Sequence, residues 1–167
     1  AAYGWIKKSE RKEFCANSGR QRLNLSGAID LEARKVYIQE SKTLDGDSSL
    51  AFLKKIEAAY PTKICIHVFC DNASYYKNTA VADYLKHSRI KLHFLPPYSP
   101  NLNPIERLWK WMRERVMYNV YYEHFEFFRS AIFGFFNTIS NLDPECAFGK
   151  EFASKVQDNF RAIDAPI

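Results

Sequence analysis

The segment "KICIHVFCD", Lys63 to Asp71, is apolar at odd and even positions alike. A strand with one face in water alternates apolar and polar residues, so a run without alternation belongs in the middle of a sheet, covered from both sides. The neighbouring segments offer that cover. "SLAFLKKIEAAY" (Ser49 to Tyr60) spaces Leu50, Leu53, Ile56 and Glu57 as a helix does, and Pro61 ends it. "NTAVADYLKHS" reads as a second helix and "IKLHFL" as a further strand. Upstream, "RLNLSGAID" (Arg22 to Asp30) and "ARKVYIQE" (Ala33 to Glu40) alternate like adjacent strands joined by a short turn, and "TLDGDSS" reads as a loop. Strands that alternate with helices in this order predict a mixed α/β sheet with right-handed crossovers.

From Asn103 onward the pattern is helical. The first helix turns Ile105, Leu108, Trp109, Met112 and Val116 toward the core, and a second, Glu123 to Ile139, carries Phe125, Phe127, Phe128, Phe133, Phe135 and Phe136. An aromatic stripe at helical spacing reads as core rather than as a platform for nucleic-acid bases. The 167 residues suit a single domain, residues 1–167, whose part from about 121 to 167 is helical. No run approaches the roughly 18 apolar residues of a membrane span, and nothing resembles a signal peptide. The chain opens on "AAYGWIKK" without a methionine and reads as a piece of something longer.

The net charge of +5 and a sequence pI near 9.0 point to a polyanionic partner. Lys7, Lys8, Arg11, Lys12, Arg20 and Arg22 crowd the first 22 residues, and the helix after Pro104 carries Arg107, Lys110, Arg113 and Arg115. Two solvated faces would explain the same residues without a ligand. Cys15, Cys65, Cys70 and Cys146 form no C-x-x-C pair and have no zinc-like histidine spacing. Cys65 and Cys70 lie in an apolar run, as small buried hydrophobes do, which suits a reducing cytoplasm. His67, His87, His93 and His124 show no ligand spacing and read as structural or surface residues.

Two carboxylates stand out. Asp71 directly follows the apolar strand, beyond whose carboxyl end α/β sheets place ligand-binding groups. An Asx-turn at "DNAS", opening the next helix, would explain it equally well. Glu106 follows "FLPPYSPNLNP", with four prolines between Phe94 and Pro104. Asn103 is a good N-cap, Pro104 suits the first helical position, and Glu106 falls where a capping-box glutamate reaches back. It also lies about 100° around the helix from Ile105, at the edge of the apolar face. The two acids are separated by 34 residues, room for a helix, a strand and the proline-rich loop. Carboxylates that converge without cationic partners repel each other, and one common solution is a hard divalent ion with oxygen ligands, such as Mg²⁺ or Mn²⁺. Two such ions about 4 Å apart activate an attacking oxygen and stabilise a leaving one in phosphoryl transfer.

These residues resemble the catalytic domain of DDE transposases, in the mariner-like superfamily and its bacterial insertion-sequence relatives. The match rests on "FCDNA" around Asp71, "LPPYSPNLNPIERLW" around Glu106, the gap between them, and "YGWIKK…SGRQRLNLSGAID" at the start. It implies a ribonuclease-H-like fold and an Asp-Asp-Glu triad holding two Mg²⁺ ions (or Mn²⁺), with Asp71 as second acid and Glu106 as third. It also implies hydrolysis at transposon ends followed by attack of the freed 3′-hydroxyl on target DNA. Further implications are a homodimer on paired ends, no membrane, and a bacterial cytoplasm with its nucleoid DNA. Candidate DNA contacts are Lys7, Lys8, Arg20, Arg22, Arg107, Lys110 and Arg113, with Asn103 and Pro104 holding Glu106 in place.

The chain departs from the family pattern in two ways. The family's first aspartate lies on a central strand upstream of the segment matching "AYGW", so this chain is expected to lack that acid and strand and to be inactive by itself. "KEFCAN" (Lys12 to Asn17) is the expected filler of the gap, and Asp30, Asp45 and Asp47 do not match the missing acid. Tyr76 stands where the family often has histidine. The alternatives to a transposase are another ribonuclease-H-like nuclease and a non-catalytic DNA-binding remnant.

Overall fold

The computed structural model describes residue 8 and residues 21–97, 102–140 and 146–156. The expected filler strand at Lys12–Asn17 lies outside them. The hairpin forms as its alternation predicts: β1 (Asn24–Asp30) pairs antiparallel with β2 (Lys35–Ser41), Gly27 opposite Ile38. Asp30 closes the turn by accepting the backbone N–H groups of Glu32 (2.9 Å) and Ala33 (2.8 Å) and the Tyr60 hydroxyl.

Helix α1 (Gly46–Ala59) begins inside the segment read as a loop. Asp45 caps it, accepting from Ser48 N–H at 2.9 Å while the Ser48 hydroxyl accepts from Asp45 N–H at 2.9 Å. This reciprocal cap satisfies two otherwise orphaned donors, and it explains why glycine and serine belong to the helix. Asp30 and Asp45 thus have structural roles.

Strand β3 (Ile66–Cys70) runs parallel to β4 (Ile90–Phe94), with α2 (Thr79–Leu85) in the crossover between them. Leu53, Val81 and Ile90 are buried together beneath Ile66, Val68 and Leu92, so α1 and α2 cover one face of this pair. The other face departs from the expectation of a strand covered on both sides. His67 is exposed, Phe69 is 63% exposed, and Cys65, expected to be buried, faces solvent beside His67. Among the described residues the strands form two separate two-stranded sheets rather than one.

Helix α3 (Pro104–Met112) continues into a π-turn (Arg113–Met117), followed by α4 (Phe125–Ser140) and α5 (Ala147–Val156). These elements pack on the hairpin through a core of Val36, Ile105, Leu108, Trp111, Met112, Val116, Phe135, Phe136 and Phe152. Trp111, left out of the predicted core face, is 1% exposed, whereas Trp109 is half-buried against the edge of Phe136. The indole N–H of Trp111 donates to Glu151 at 3.0 Å, which is how a buried indole keeps its polar atom satisfied. The aromatic stripe of α4 is only partly core: Phe135 and Phe136 are buried, and Phe127 is 59% exposed.

Candidate active site

The carboxyl ends of β3 and β4 are tied together by Leu95 N–H donating to the Cys70 carbonyl at 2.8 Å and the Asn72 amide donating to the Leu95 carbonyl at 2.6 Å. Asp71 emerges from this closed edge into solvent. Its Oδ1 accepts from Ala73 N–H at 3.2 Å, so the Asx-turn is present, and the other oxygen has no hydrogen-bond partner among the described residues. The turn therefore restrains the carboxylate without consuming it. Beneath it, burial and the Asp71 charge push the Cys70 thiol up to about 12, keeping it a neutral apolar neighbour.

Glu106 sits in the first turn of α3. Asn103 caps that helix, its side chain accepting from Ile105 N–H at 3.4 Å and its carbonyl from Glu106 N–H at 3.1 Å, with Pro104 opening it. The expected capping box is not formed. The exposed Glu106 side chain accepts no hydrogen bond and makes no ion pair among the described residues. The cap is complete through Asn103, which leaves the glutamate available.

Tyr75 is a half-buried phenol close to Asp71 in the chain. It follows Asp71 in a short 3₁₀ turn, Ser74–Lys77, with its ring tilted on Tyr76 at 4.9 Å. Its phenol is held above the ordinary range by burial first, then by the charges of Asp71, Cys70 and Glu106. A strand-end acid and a helix-start acid thus act on one hydroxyl. Sequence reading passed over Tyr75; its place three residues beyond "DN" was the available signal. Tyr76, where the histidine was expected, is half-buried, and burial raises its phenol strongly.

The donor set suits a hard cation: two exposed carboxylates, three of whose oxygens have no protein partner among the described residues. No group of three or more His, Cys, Asp or Glu side chains among the described residues is arranged to hold a metal ion.

Of the proposed DNA contacts, Glu106's own helix gathers the most coherent set. Lys110 and Arg113 follow Glu106 at i+4 and i+7 and share its exposed face. Lys110 reaches Glu114 only at 4.0 Å with 71% of its side chain exposed, so its charge is largely open to solvent. Arg107 falls on a different side and is half-buried, with its Nε out of solvent. Lys8 and Arg22 are exposed, while Lys7 and Arg20 lie outside the described residues.

The family model of the DDE superfamily endonucleases matches residues 1–129. The "Insertion element IS630 uncharacterized 39 kDa protein" of Shigella sonnei is 23% identical over 116 residues, 69% of this chain and 34% of its own length. Among solved structures, the Mos1 transposase paired-end complex with left transposon end aligns at a TM-score of 0.67 and 16% identity, over 92% of this chain and 46% of that one. The Mos1 mariner paired end complex with Mn aligns at 0.64 and 16% identity over the same shares. The fold is thus the ribonuclease-H-like α/β fold of the Mos1 catalytic domain. The chain spans less than half the length of each of these relatives.

Proposed function

The chain belongs to the DDE superfamily endonucleases, and from that premise we propose that it is the catalytic part of a transposase that cuts and rejoins DNA at transposon ends. The observation that carries this reading is the pair of exposed acids, Asp71 just beyond the carboxyl end of β3 and Glu106 in the first turn of α3, whose oxygens have no protein partner among the described residues apart from the Ala73 N–H. The likeness to the Mos1 complexes with transposon-end DNA supports it.

In this reading Asp71 and Glu106 would hold Mg²⁺ or Mn²⁺ together with the triad's first aspartate. Ions held there would lower the pKa of an attacking water or hydroxyl and offset charge on the leaving oxygen. The protein's own contribution is positional. Ala73 N–H fixes the turn that aims Asp71, and the Asn103 cap with Pro104 fixes the first turn that carries Glu106.

DNA would lie along α3, where Lys110 and Arg113 continue the line from Glu106 and meet phosphates without reading sequence. Lys7, Lys8, Arg20, Arg22 and Arg107 extend this contact set, and a homodimer in the bacterial cytoplasm is the proposed working assembly.

The test is nicking of supercoiled plasmid carrying transposon ends by a full-length protein bearing this sequence, with Mg²⁺ or Mn²⁺. Nicking that disappears in both Asp71→Asn and Glu106→Gln supports the reading. Nicking that survives either substitution overturns the role of that acid.

A further inference from the structure

The 3₁₀ turn after Asp71 ends in a residue with no assigned part in the site. Lys77 is exposed, and its Nζ lies 5.4 Å from the centre of the Phe94 ring. Phe94 is the last residue of β4 and registers opposite Cys70, the last residue of β3. Ring and ammonium therefore occupy the same strand edge from which Asp71 emerges. Phe94 is 43% exposed, so the pair faces solvent rather than the core.

Lys77 differs from the lysines of this protein that are held in ion pairs, and shares its ring contact with Lys54, whose Nζ lies 5.6 Å from the centre of the Tyr84 ring. Lys86 pairs with Asp83 at 2.7 Å, and Lys110 and Lys155 share Glu114 at 4.0 and 3.8 Å. Lys77 forms no ion pair among the described residues, although Asp71 stands six positions upstream on the same edge. A ring face attracts an ammonium and narrows the positions of its four-carbon stem without neutralising it. Lys77 thus keeps its full charge and its N–H donors, and Asp71 remains free for a cation. Arranged side by side, one acid and one base at a strand edge suit the two things a phosphodiester site must hold, a metal and a phosphate.

We propose that Lys77 is a phosphate contact of the active site, gripping the DNA backbone beside the bond on which Asp71 and Glu106 act, with Phe94 holding its ammonium in place. The proposal rests on the endonuclease reading for its substrate, phosphodiester DNA. It predicts a contact that is electrostatic and blind to sequence.

The test measures affinity for a short duplex by fluorescence anisotropy over a salt series, using this chain with circular dichroism as a check on folding. Each phosphate neutralised contributes about 0.9 to the slope of log K against log salt. Lys77→Met is expected to lower the slope by about one, and to weaken binding about five- to tenfold near 0.1 M salt. Lys77→Arg keeps the slope. Phe94→Leu gives an intermediate loss, because the charge remains but its support is gone. Lys86→Met, at the opposite end of α2 and already paired with Asp83, changes nothing.

An unchanged slope for a folded Lys77→Met, or an equal loss for Lys86→Met, overturns the proposal. The nicking test separates the two readings. Nicking lost in the acid variants with Lys77→Met binding unchanged removes Lys77 and leaves the endonuclease. Nicking retained in those variants with a lowered Lys77→Met slope removes the endonuclease assignment and leaves a DNA contact.

Discussion

Asp71 and Glu106, separated by 34 residues, both add to what burial does first at the Tyr75 phenol, holding it above its ordinary range. Neither acid is absorbed by its local structure. Asp71 spends one oxygen on the Ala73 N–H, and Glu106 stands outside a cap that Asn103 completes. Glu106→Gln therefore removes no hydrogen bond of the described fold and only weakens an interaction with the helix dipole, typically under about 1 kcal/mol. Chemical denaturation should show that small change in stability, while metal-dependent nicking by the full-length protein falls to background.

Gly27 makes room for Trp109. A Cβ at position 27 would lie 2.5 Å from Cζ2 and 2.9 Å from Cη2 of the indole. The close approach seats α3, and with it Glu106, against β1. Gly27→Ala must push that ring and helix away, an overpacking that costs about 1–3 kcal/mol. A lower thermal midpoint checks it, and Gly134→Ala on α4, where an added Cβ meets nothing within 4 Å, serves as the control.

Glu57 joins α1 to the start of β4. It accepts the Tyr84 hydroxyl, Arg89 N–H at 2.8 Å, the Ser88 hydroxyl at 2.7 Å and the Arg89 guanidinium at 3.2 Å. The Tyr84 hydrogen bond above all, then Arg89 N–H and Ser88, lower its carboxyl from 4.5 to about 2. A group whose folded value is depressed contributes stability above its unfolded value, and that stability is lost as pH falls through the folded value. Denaturant midpoints should therefore drop between about pH 4.5 and 2, by up to roughly 2 kcal/mol after allowance for solvent screening. Glu57→Gln should flatten that part of the profile.

Lys110 and Arg113 sit on the face of α3 that carries Glu106. Replacing both with glutamine should lower the salt slope of DNA binding by about two, with little effect on folding. Arg115 tests the specificity of this expectation. It is committed to Glu151, and Arg115→Gln should loosen α5 before it affects DNA binding.

The parts of the fold set by local pattern were legible in the sequence: the hairpin, the β3–α2–β4 crossover, and α3 with its Asn103 cap and Pro104. What was missed depended on contacts between distant segments or on a cap read as a turn. "DGDS" looked like loop because glycine and aspartate dominate it, yet Asp45 and Ser48 cap each other and begin α1. Trp111 was left off the core face because its burial depends on Glu151, 40 residues away, taking its N–H. The apolar run of β3 suggested two covered faces, whereas α1 and α2 cover only the side of Ile66 and Val68. Of the proposed site, Asp71 and Glu106 were picked out from spacing and motif. Tyr75 and Lys77 were not, since their meaning comes from the strand edge that places them beside Asp71.

The central claim is that Asp71 and Glu106 jointly hold a divalent ion. The most direct measurement is Mn²⁺ binding followed by electron paramagnetic resonance, on wild type, Asp71→Asn, Glu106→Gln and the double variant. Joint ligation predicts that each single substitution weakens binding about tenfold or more, the usual scale for disturbing a metal site, and that the double variant loses little beyond the worse single. Mn²⁺ binding unchanged by either substitution would contradict it.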